Sequence, residues 1–243
     1  MYRFASKTFF CCAALLLIGL VADSAYADGI VFAGTDPCFP AGVGRGCGPN
    51  RAPHVLSLQN HGTASGSVGR SAASPNTDVR TGDWTRGSNT QTVSLTDIGT
   101  TQAANIRIYF DIIEPNGGNV STVTLNSLVL TAYSANGIEV FSASLLGSPL
   151  TLDLVGNGQG HSDYVFLLDA EAAARLQLAI TADPNLRLGL ASNISSTNAG
   201  PESFFIGSAV PAATVPEPAT MLLLGTGLAG IAAKVRRKRK LQV

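Results

Sequence analysis

Lysine is absent from the whole stretch between Lys7 and Lys234 of this 243-residue chain. The basic side chains of that stretch are eight arginines, which are scattered along it rather than clustered. A nucleic-acid phosphate backbone is bound by concentrated basic surface, so this distribution disfavours nucleic acid as a partner. Charged residues make up only 13% of the chain, and tryptophan occurs once, at Trp84.

The short motifs of common catalytic centres are also missing: there is no G-x-S-x-G, no H-E-x-x-H and no P-loop. His54, His61 and His161 stand in polar surroundings typical of solvated loops. The carboxylates near strand ends are Asp111, Glu114, Asp153, Asp163 and Asp169. A glycosidase needs two carboxyls across a cleft, and the sequence places no two of these opposite each other. We therefore predict that the protein is not an enzyme, with a secreted carbohydrate-active enzyme as the alternative.

Two cysteines, Cys38 and Cys47, bracket a loop rich in proline and glycine. In an oxidising compartment this arrangement predicts a disulfide, because the neighbouring histidines do not complete a known zinc spacing. Two oxygen-rich loops, 114–119 and 157–163, could hold calcium, but ordinary turn chemistry explains their composition better. We predict no metal and no cofactor.

The first 27 residues have the organisation of a secretory signal peptide. Arg3 and Lys7 form a positive beginning, and Thr8–Val21 is apolar. Ala25-Tyr26-Ala27 follows as an A-x-A cleavage site, so residues 1–27 are predicted to be removed.

The last 29 residues contain three consecutive segments of different chemistry. The first is the box Val215, Pro216, Glu217 and Pro218, which the prolines keep extended. The apolar stretch Ala219–Ala233 follows and is short for a bilayer span, which takes about 20 residues. The basic end consists of Lys234, Arg236, Arg237, Lys238, Arg239 and Lys240. Under the positive-inside rule these charges stop transfer, so residues 215–240 are predicted to form a sorting segment with a single membrane-anchor helix.

This tail resembles the PEP-CTERM signal of bacterial exosortase substrates. The resemblance implies an exosortase-type processing enzyme as a partner, an inner-membrane intermediate held by the tail, and then a cell-surface or extracellular location. The stretch Val93–Ile206, including N105-IRIYFDIIEP and F166-LLDAEAAARLQ, also resembles the body of a subset of PEP-CTERM proteins. That second resemblance implies an exported β-sandwich and carries no functional residues.

The exported body, residues 28–212, is acidic although the whole chain has a formal net charge of zero. The signal peptide and the tail carry eight of the 16 basic residues and two of the 16 acidic residues. The body keeps the other eight basic and 14 acidic residues, so its net charge is −6. Residues 28–90 are predicted to be loop-rich, with short strands near Gly29–Ala33 and Val55–Leu58.

Period-two alternation begins at Thr92–Ile98 and continues through Asn105–Ile113, which predicts strands there. Ser134–Gly137 is a hairpin signal, and Asp169 predicts the N-cap of a helix that extends to Ile180. Further strands are predicted at 120–133, 138–145, 151–154, 164–168, 187–191 and 203–206. The pattern indicates an all-β body: a single β-sandwich, jelly-roll or cohesin-like, with one short helix.

These features favour a non-catalytic structural, adhesive or ligand-binding β-module, with extracellular polysaccharide as a possible partner. Ice binding is a further alternative, but it needs flat ranks of regularly spaced threonine, of which Thr122-Val-Thr124 is one short instance. Trp84 is predicted to be half-buried at a strand start, and stacking on a sugar is the alternative role for its ring.

Overall fold

The computed structural model describes residues 29–35, 52–113, 122–153, 163–198 and 200–209. The strands in these ranges are β1 (Gly29–Thr35), β2 (His54–Leu58), β3 (His61–Ser71), β4 (Ser74–Gly82), β5 (Val93–Ser94), β6 (Ile106–Asp111), β7 (Thr122–Tyr133), β8 (Glu139–Leu145), β9 (Leu150–Asp153), β10 (Tyr164–Leu168), β11 (Arg187–Asn198) and β12 (Glu202–Ser208). The helices are α1 (Leu95–Ile98) and α2 (Ala170–Ala182), and Ala103–Asn105 forms a 3₁₀ turn. The predicted all-β body is confirmed.

Several predicted features lie outside the described residues and stay predictions. They are the signal peptide with Ala25 and Ala27, the Cys38–Cys47 pair, and the tail from residue 215 onward. Within the described ranges, no helix combines the length and the apolar character that a membrane crossing requires.

The described strands form one hydrogen-bonded sheet, whereas a sandwich would contain two. The strand order is β2-β12-β6-β10-β1-β8-β7-β11-β3-β4, with β5 beside β11 and β9 beside β7. Neighbouring strands pair antiparallel except β1 and β8, which pair parallel. One face of this sheet contributes to a single hydrophobic core, so the sheet must curl around that core.

The two ends of the curled sheet meet along the free edge of β2. The chain leaves β4, at the far end of the strand order, and the segment 83–91 then runs beside β2. The Gln59 N–H donates to the Asp83 carbonyl at 3.0 Å, and the Thr85 N–H donates to the Ser57 carbonyl at 2.8 Å. These bonds satisfy backbone groups of β2 and of Gln59, directly after it, that would otherwise form an exposed sheet edge.

Stacked aromatic rings mark the centre of the core. Phe110 of β6 and Phe204 of β12 are register partners, both fully buried, with ring centroids 4.3 Å apart and planes 11° from parallel. Ile106, Ile108 and Phe110 of β6 share the core-facing side of the strand, since each is at most 1% exposed, and this agrees with the period-two alternation of Asn105–Ile113. The neighbouring Asp111 is also buried, which the alternation does not predict.

The hairpin predicted at Ser134–Gly137 is confirmed. It joins β7 to β8, with the Gly137 N–H donating to the Ser134 carbonyl at 2.9 Å. Gly137 has a φ of +72°, and a Cβ there would lie 2.4 Å from the Ser71 carbonyl oxygen. Glycine is therefore required by both the turn and the close approach of β3.

The short strands predicted near Gly29–Ala33 and Val55–Leu58 are confirmed as β1 and β2. The loop-rich prediction for the rest of residues 28–90 is wrong within the described ranges, because β3 and β4 form a long hairpin there. The sequence of β3 is poor in apolar residues, and only Ala64 and Val68 enter the core from it. Its glycines permit close packing instead: a Cβ at Gly66 would lie 2.6 Å from the Thr81 carbonyl oxygen. Pairing with β11 on one side and β4 on the other overrides the weak local preference for a strand.

The strand predicted at Thr92–Ile98 is largely wrong, since only Val93 and Ser94 pair with β11 before α1 begins. Ser94 caps the helix through a capping box. The Asp97 N–H donates to the Ser94 hydroxyl at 3.2 Å, and the Ser94 N–H donates back to the Asp97 carboxylate at 2.8 Å. The hydrogen bonds that Ser94 donates to the Asp97 carboxylate lower the pKa of Asp97: the larger effect comes from its backbone N–H, and the next from its hydroxyl at 2.7 Å. The Ser-x-x-Asp signature was available in the sequence and outweighs the period-two pattern.

The predicted N-cap Asp169 is confirmed and also binds β1. One carboxylate oxygen accepts from the Glu171 and Ala172 N–H groups of α2 at 3.1 and 2.8 Å. The other accepts from the Gly29 N–H at 2.8 Å. Asp169 therefore holds the first described residue of the body against the start of the helix.

We expect Asp169→Ala to lower the free energy of unfolding by about 1–2 kcal/mol, because it removes an N-cap and the acceptor for Gly29. Asp169→Asn retains one acceptor oxygen and should lose less. Urea unfolding followed by circular dichroism measures both variants. Equal losses in the two variants would contradict the dual role of this carboxylate.

Candidate functional site

A β-bulge in β2 places two polar side chains on the same side of the sheet. Ser203 pairs with Ser57 and Phe204 with Leu56, but Phe205 pairs with His54, so the register skips Val55. Without the bulge, His54 and Ser57 would point to opposite faces, because they are three residues apart on a strand. Bulges commonly re-aim side chains in this way near functional sites.

These side chains line a cleft of about 710 Å³. We call it the β2–β12 cleft: its floor is formed by β2, β12 and the end of β6, and its wall by residues 85–89 with Ile113 and Pro201. Its volume falls in the range of about 300–1,000 Å³ that is usual for small-molecule sites.

A row of hydroxyl groups crosses the floor of the cleft. The hydroxyl oxygens of Ser57 and Ser203 lie 3.2 Å apart, and the Ser57 hydroxyl donates to Thr85 Oγ1 at 3.3 Å. Ser57 and Ser203 are almost fully buried. Asp111 continues this row because it is the register partner of Ser203 on β6. The cleft thus combines hydroxyl donors with a buried carboxylate acceptor.

His54 stands at the side of this row, against Phe205. The two rings meet edge to face at 87°, with centroids 5.1 Å apart. His54 Nδ1 is buried and has no hydrogen-bond partner within the part of the chain that the structure describes. Burial lowers the pKa of His54, and a hydrogen bond to the Asn89 backbone opposes that shift only in part. The imidazole is therefore neutral at pH 7, with a nitrogen available to accept a hydrogen bond.

The sequence-based interpretation of the histidines was wrong for His54, which lies in a strand and is partly buried. His61 begins β3 and is exposed, which agrees with a solvated position, and His161 lies outside the described residues. His54 is partly buried because β2 begins at it and because the bulge sets the direction of its side chain. The residues adjacent to His54 do not encode either feature.

The carboxylates that the sequence places near strand ends have different roles in the structure, where they are described. Asp163 is buried beside β6, where its carboxylate accepts from the Ile112 N–H at 2.9 Å. Asp153 is exposed at the end of β9, and Asp169 caps α2. Asp111 alone among these contributes to the β2–β12 cleft, and Glu114 lies outside the described residues. No group of three or more His, Cys, Asp or Glu side chains in the described ranges could hold a metal ion.

Trp84 is partly buried, as predicted. It forms an isolated bridge with Leu58, and the guanidinium carbon of Arg80 lies 5.6 Å from the centre of its ring. Trp84 therefore packs where the ends of the sheet meet.

A second candidate surface is the outer face of the sheet, on the side opposite the core. Four residues on adjacent strands form one row across it: Thr151 of β9, Thr124 of β7, Ser195 of β11 and Thr63 of β3. Two more rows follow along the strands: Ser127, Asn193 and Ser65, and then Ser144, Val129, Ala191, Ser67 and Thr81. We call these three rows the hydroxyl face. None of their residues is charged, and each is at least partly exposed.

Side chains on the hydroxyl face hydrogen-bond to one another across strands. Asn126, at the bulge of β7, donates to Asn193 Oδ1 at 2.9 Å and to the Ser195 hydroxyl at 3.0 Å. The hydroxyl oxygens of Ser67 and Thr81 lie 2.7 Å apart. Such cross-strand bonds fix the side-chain orientations and leave a pre-ordered layer of donors and acceptors.

Charged groups gather elsewhere, at the end of β3 and β4. Arg70 lies 3.2 Å from the Asp78 carboxylate, and both bond to the hydroxyl of the fully buried Thr92. Arg187 donates to the same hydroxyl at 2.8 Å. Hydrogen bonds to the Thr92 hydroxyl join these charged groups, so this cluster stabilises the junction of β3, β4 and β11.

The family model of the PEP-CTERM protein-sorting motif matches residues 214–238. The match confirms the predicted tail, and it implies an exported protein that is processed by an exosortase and reaches the cell surface or the extracellular space. No significant match is found among curated proteins or among solved structures. Since the matched region is confined to the tail, the resemblance of Val93–Ile206 to other PEP-CTERM bodies stays a prediction.

We expect acid to destabilise the protein partly through His54. Because its pKa is lowered in the folded state, the unfolded chain takes up a proton first as the pH falls below about 6.5. The contribution of His54 is therefore complete above that pH and declines as the pH falls toward the lower, folded-state pKa. Chemical unfolding between pH 8 and pH 5 should show a shallower pH dependence of the unfolding free energy for His54→Phe than for the wild type, and an equal dependence in the two proteins would contradict this role of His54.

Proposed function

We propose that this protein is an exported, non-catalytic β-module of the cell surface or extracellular matrix, and that it binds neutral extracellular polysaccharide through its hydroxyl face. The observation that carries the proposal is the three-row surface of uncharged hydroxyl, amide and small apolar side chains across adjacent strands. A relation to jelly-roll or cohesin-like domains stays a prediction.

The chemistry of the face suits sugar hydroxyls. Serine, threonine and asparagine side chains both donate and accept hydrogen bonds, as sugar hydroxyls do. Pre-ordered groups lose little conformational entropy when a ligand binds, and the cross-strand bonds of Asn126 and Ser67 supply that order. A sheet also presents its rows at regular spacings of about 4.8 Å between strands, which suits an extended polymer.

The charge of the body favours a neutral polymer. The net charge of −6 between the signal peptide and the tail repels uronic-acid and sulfated polysaccharides at long range. The hydroxyl face itself offers no cation for a carboxylate or sulfate group. A neutral polysaccharide is not repelled by the acidic body and needs no cation on the hydroxyl face, so its binding should depend little on salt.

The tail supports delivery of this module to the outside of the cell. In the proposed sequence of events, the basic end holds the chain at the inner membrane, and the extended box 215–218 is presented to the exosortase. Cleavage near the box then frees the acidic body from the basic residues that follow residue 233.

The contacts in the β2–β12 cleft support binding rather than catalysis. The hydrogen bond of His54 is to the Asn89 backbone, and the hydroxyl of Ser57 bonds to Thr85 and Ser203. Nucleophilic catalysis would instead place a serine hydroxyl in a hydrogen bond to the imidazole.

Ice binding is the second candidate, and the structure supplies one observation in its favour. The Thr122-Val-Thr124 rank of β7 does not stand alone, since Thr151, Ser195 and Thr63 continue the row of Thr124 on adjacent strands. Thermal hysteresis measured on the exported protein separates the candidates: hysteresis without polysaccharide binding would replace the first proposal by the second.

We expect intact-mass spectrometry of the exported protein to show a chain that ends near residues 215–218. The double variant Pro216→Ala/Pro218→Ala should keep the complete tail, because the box loses its enforced extended form. Pro211→Ala, a matched change outside the box, should be processed normally. A wild-type protein that retains residues 221–243 at steady state would contradict the sorting proposal.

We expect the exported protein to bind neutral polysaccharides but not uronic-acid or sulfated ones in affinity electrophoresis, with little change when salt is raised. Thr124→Lys places a long, charged side chain in the middle of the face and should weaken binding at least about tenfold, or about 1.4 kcal/mol. Thr181→Lys makes the same change on the exposed side of α2 and should bind normally. Undiminished binding by Thr124→Lys would exclude the hydroxyl face as the site.

A further inference from the structure

We propose that the β2–β12 cleft is a separate subsite for a single neutral hexose unit, such as a chain end or side branch of the polysaccharide. This inference rests on the proposed function for its ligand class, but it concerns different residues and a different face. The hydroxyl face lies on β9, β8, β7, β11, β3 and β4, whereas the cleft is formed by β2, β12, β6 and the segment 85–89.

The polar groups of the cleft match a ring that bears hydroxyls around its edge. Ser57, Ser203 and Thr85 form a connected hydroxyl row, in which each oxygen is within 3.3 Å of the next. Asp111, the register partner of Ser203, adds a carboxylate acceptor beside this row. Strand register fixes the order of these groups, so the row is formed before a ligand arrives.

His54 adds a buried hydrogen-bond acceptor, which an ordinary polar surface lacks. His54 lines the cleft, and its Nδ1 is buried without a hydrogen-bond partner in the described part of the chain. A buried polar atom without a partner costs about 1–3 kcal/mol, so a donor that enters the cleft removes this cost when it binds there. A sugar hydroxyl is such a donor, and the neutral imidazole accepts from it.

The apolar wall of the cleft suits the carbon-bound hydrogens of a sugar. Phe205 is partly exposed there, with Pro201 and Ile113 nearby. Aromatic rings pack against the apolar face of a sugar while the surrounding polar groups bind its hydroxyls. The edge-to-face contact with His54 fixes the Phe205 ring in place.

Charge makes a neutral sugar the better ligand than an acidic one. The cleft contains the Asp111 carboxylate, and a sugar acid or sugar phosphate would bring a second negative charge close to it. Arg86 also lines the cleft but is exposed, so solvent screens it more strongly. A neutral hexose is not repelled by the Asp111 carboxylate and does not depend on attraction by Arg86.

The test is a titration of the exported protein with glucose, galactose, mannose and glucuronic acid, followed by NMR. We expect at least one neutral hexose to bind with a Kd of about 1 mM, and glucuronic acid to bind more weakly. His54→Phe keeps the ring and its contact with Phe205 but removes Nδ1, and it should weaken hexose binding at least about tenfold. His61→Phe is the matched control at an exposed histidine and should bind as the wild type does.

Two further variants keep the outcomes distinguishable. Ser203→Ala removes one hydroxyl of the row with little change in volume, and it serves if His54→Phe does not fold. Thr124→Lys should lose polysaccharide binding and keep hexose binding. Absence of binding to every neutral hexose, or equal affinity in the wild type and the cleft variants, would overturn the hexose site. If polysaccharide still binds in that event, the proposed function stands and only the subsite fails.

Discussion

The pairing of β2 with the segment 83–91 is the contact on which the rest of the structure depends. A single sheet can enclose one core only if it curls until its ends approach each other, and here the ends meet through backbone bonds of Asp83 and Thr85 to β2. The side chain of Asp83 strengthens this junction, because it accepts from the Ser65 N–H at 2.9 Å. Without the junction, the edge of β2 would be exposed and the core of Phe110 and Phe204 would be open on one side.

The same junction creates the cleft and separates it from the hydroxyl face. Residues 85–89 form the wall of the cleft because the chain follows the edge of β2 after Trp84. The hydroxyl face lies on the other part of the curl, where β3, β11 and β7 pair over long lengths. Close approach between these strands is possible because glycine occupies the tight positions: a Cβ at Gly189 would lie 2.3 Å from the Val68 carbonyl oxygen. A weakly charged, glycine-rich sequence therefore serves both packing and surface chemistry.

Prediction from sequence succeeded where the signals are local. The β7–β8 hairpin follows from Ser134–Gly137, and the start of α2 follows from Asp169, because turn and cap chemistry involve residues a few positions apart. It failed for β3 and β4, whose strands are held by pairing with partners far away in the chain. It also failed at Ser94, where the local capping box with Asp97 outweighs the period-two alternation. The candidate cleft was not predicted at all, and its only prior hint was Asp111 near a strand end.

The sequence by itself determined that the protein is exported and sorted, because the PEP-CTERM tail is a contiguous signal that needs no tertiary context. It also determined the acidic, lysine-free character of the body and its all-β class, since composition and short periodicities need no tertiary context. Only the tertiary structure decided which polar residues meet. His54, Ser57, Asp111 and Ser203 are separated by up to 149 positions, and the register of β2, β12 and β6 brings them together. Register depends on pairing energies summed over the whole sheet, and no single segment contains that information.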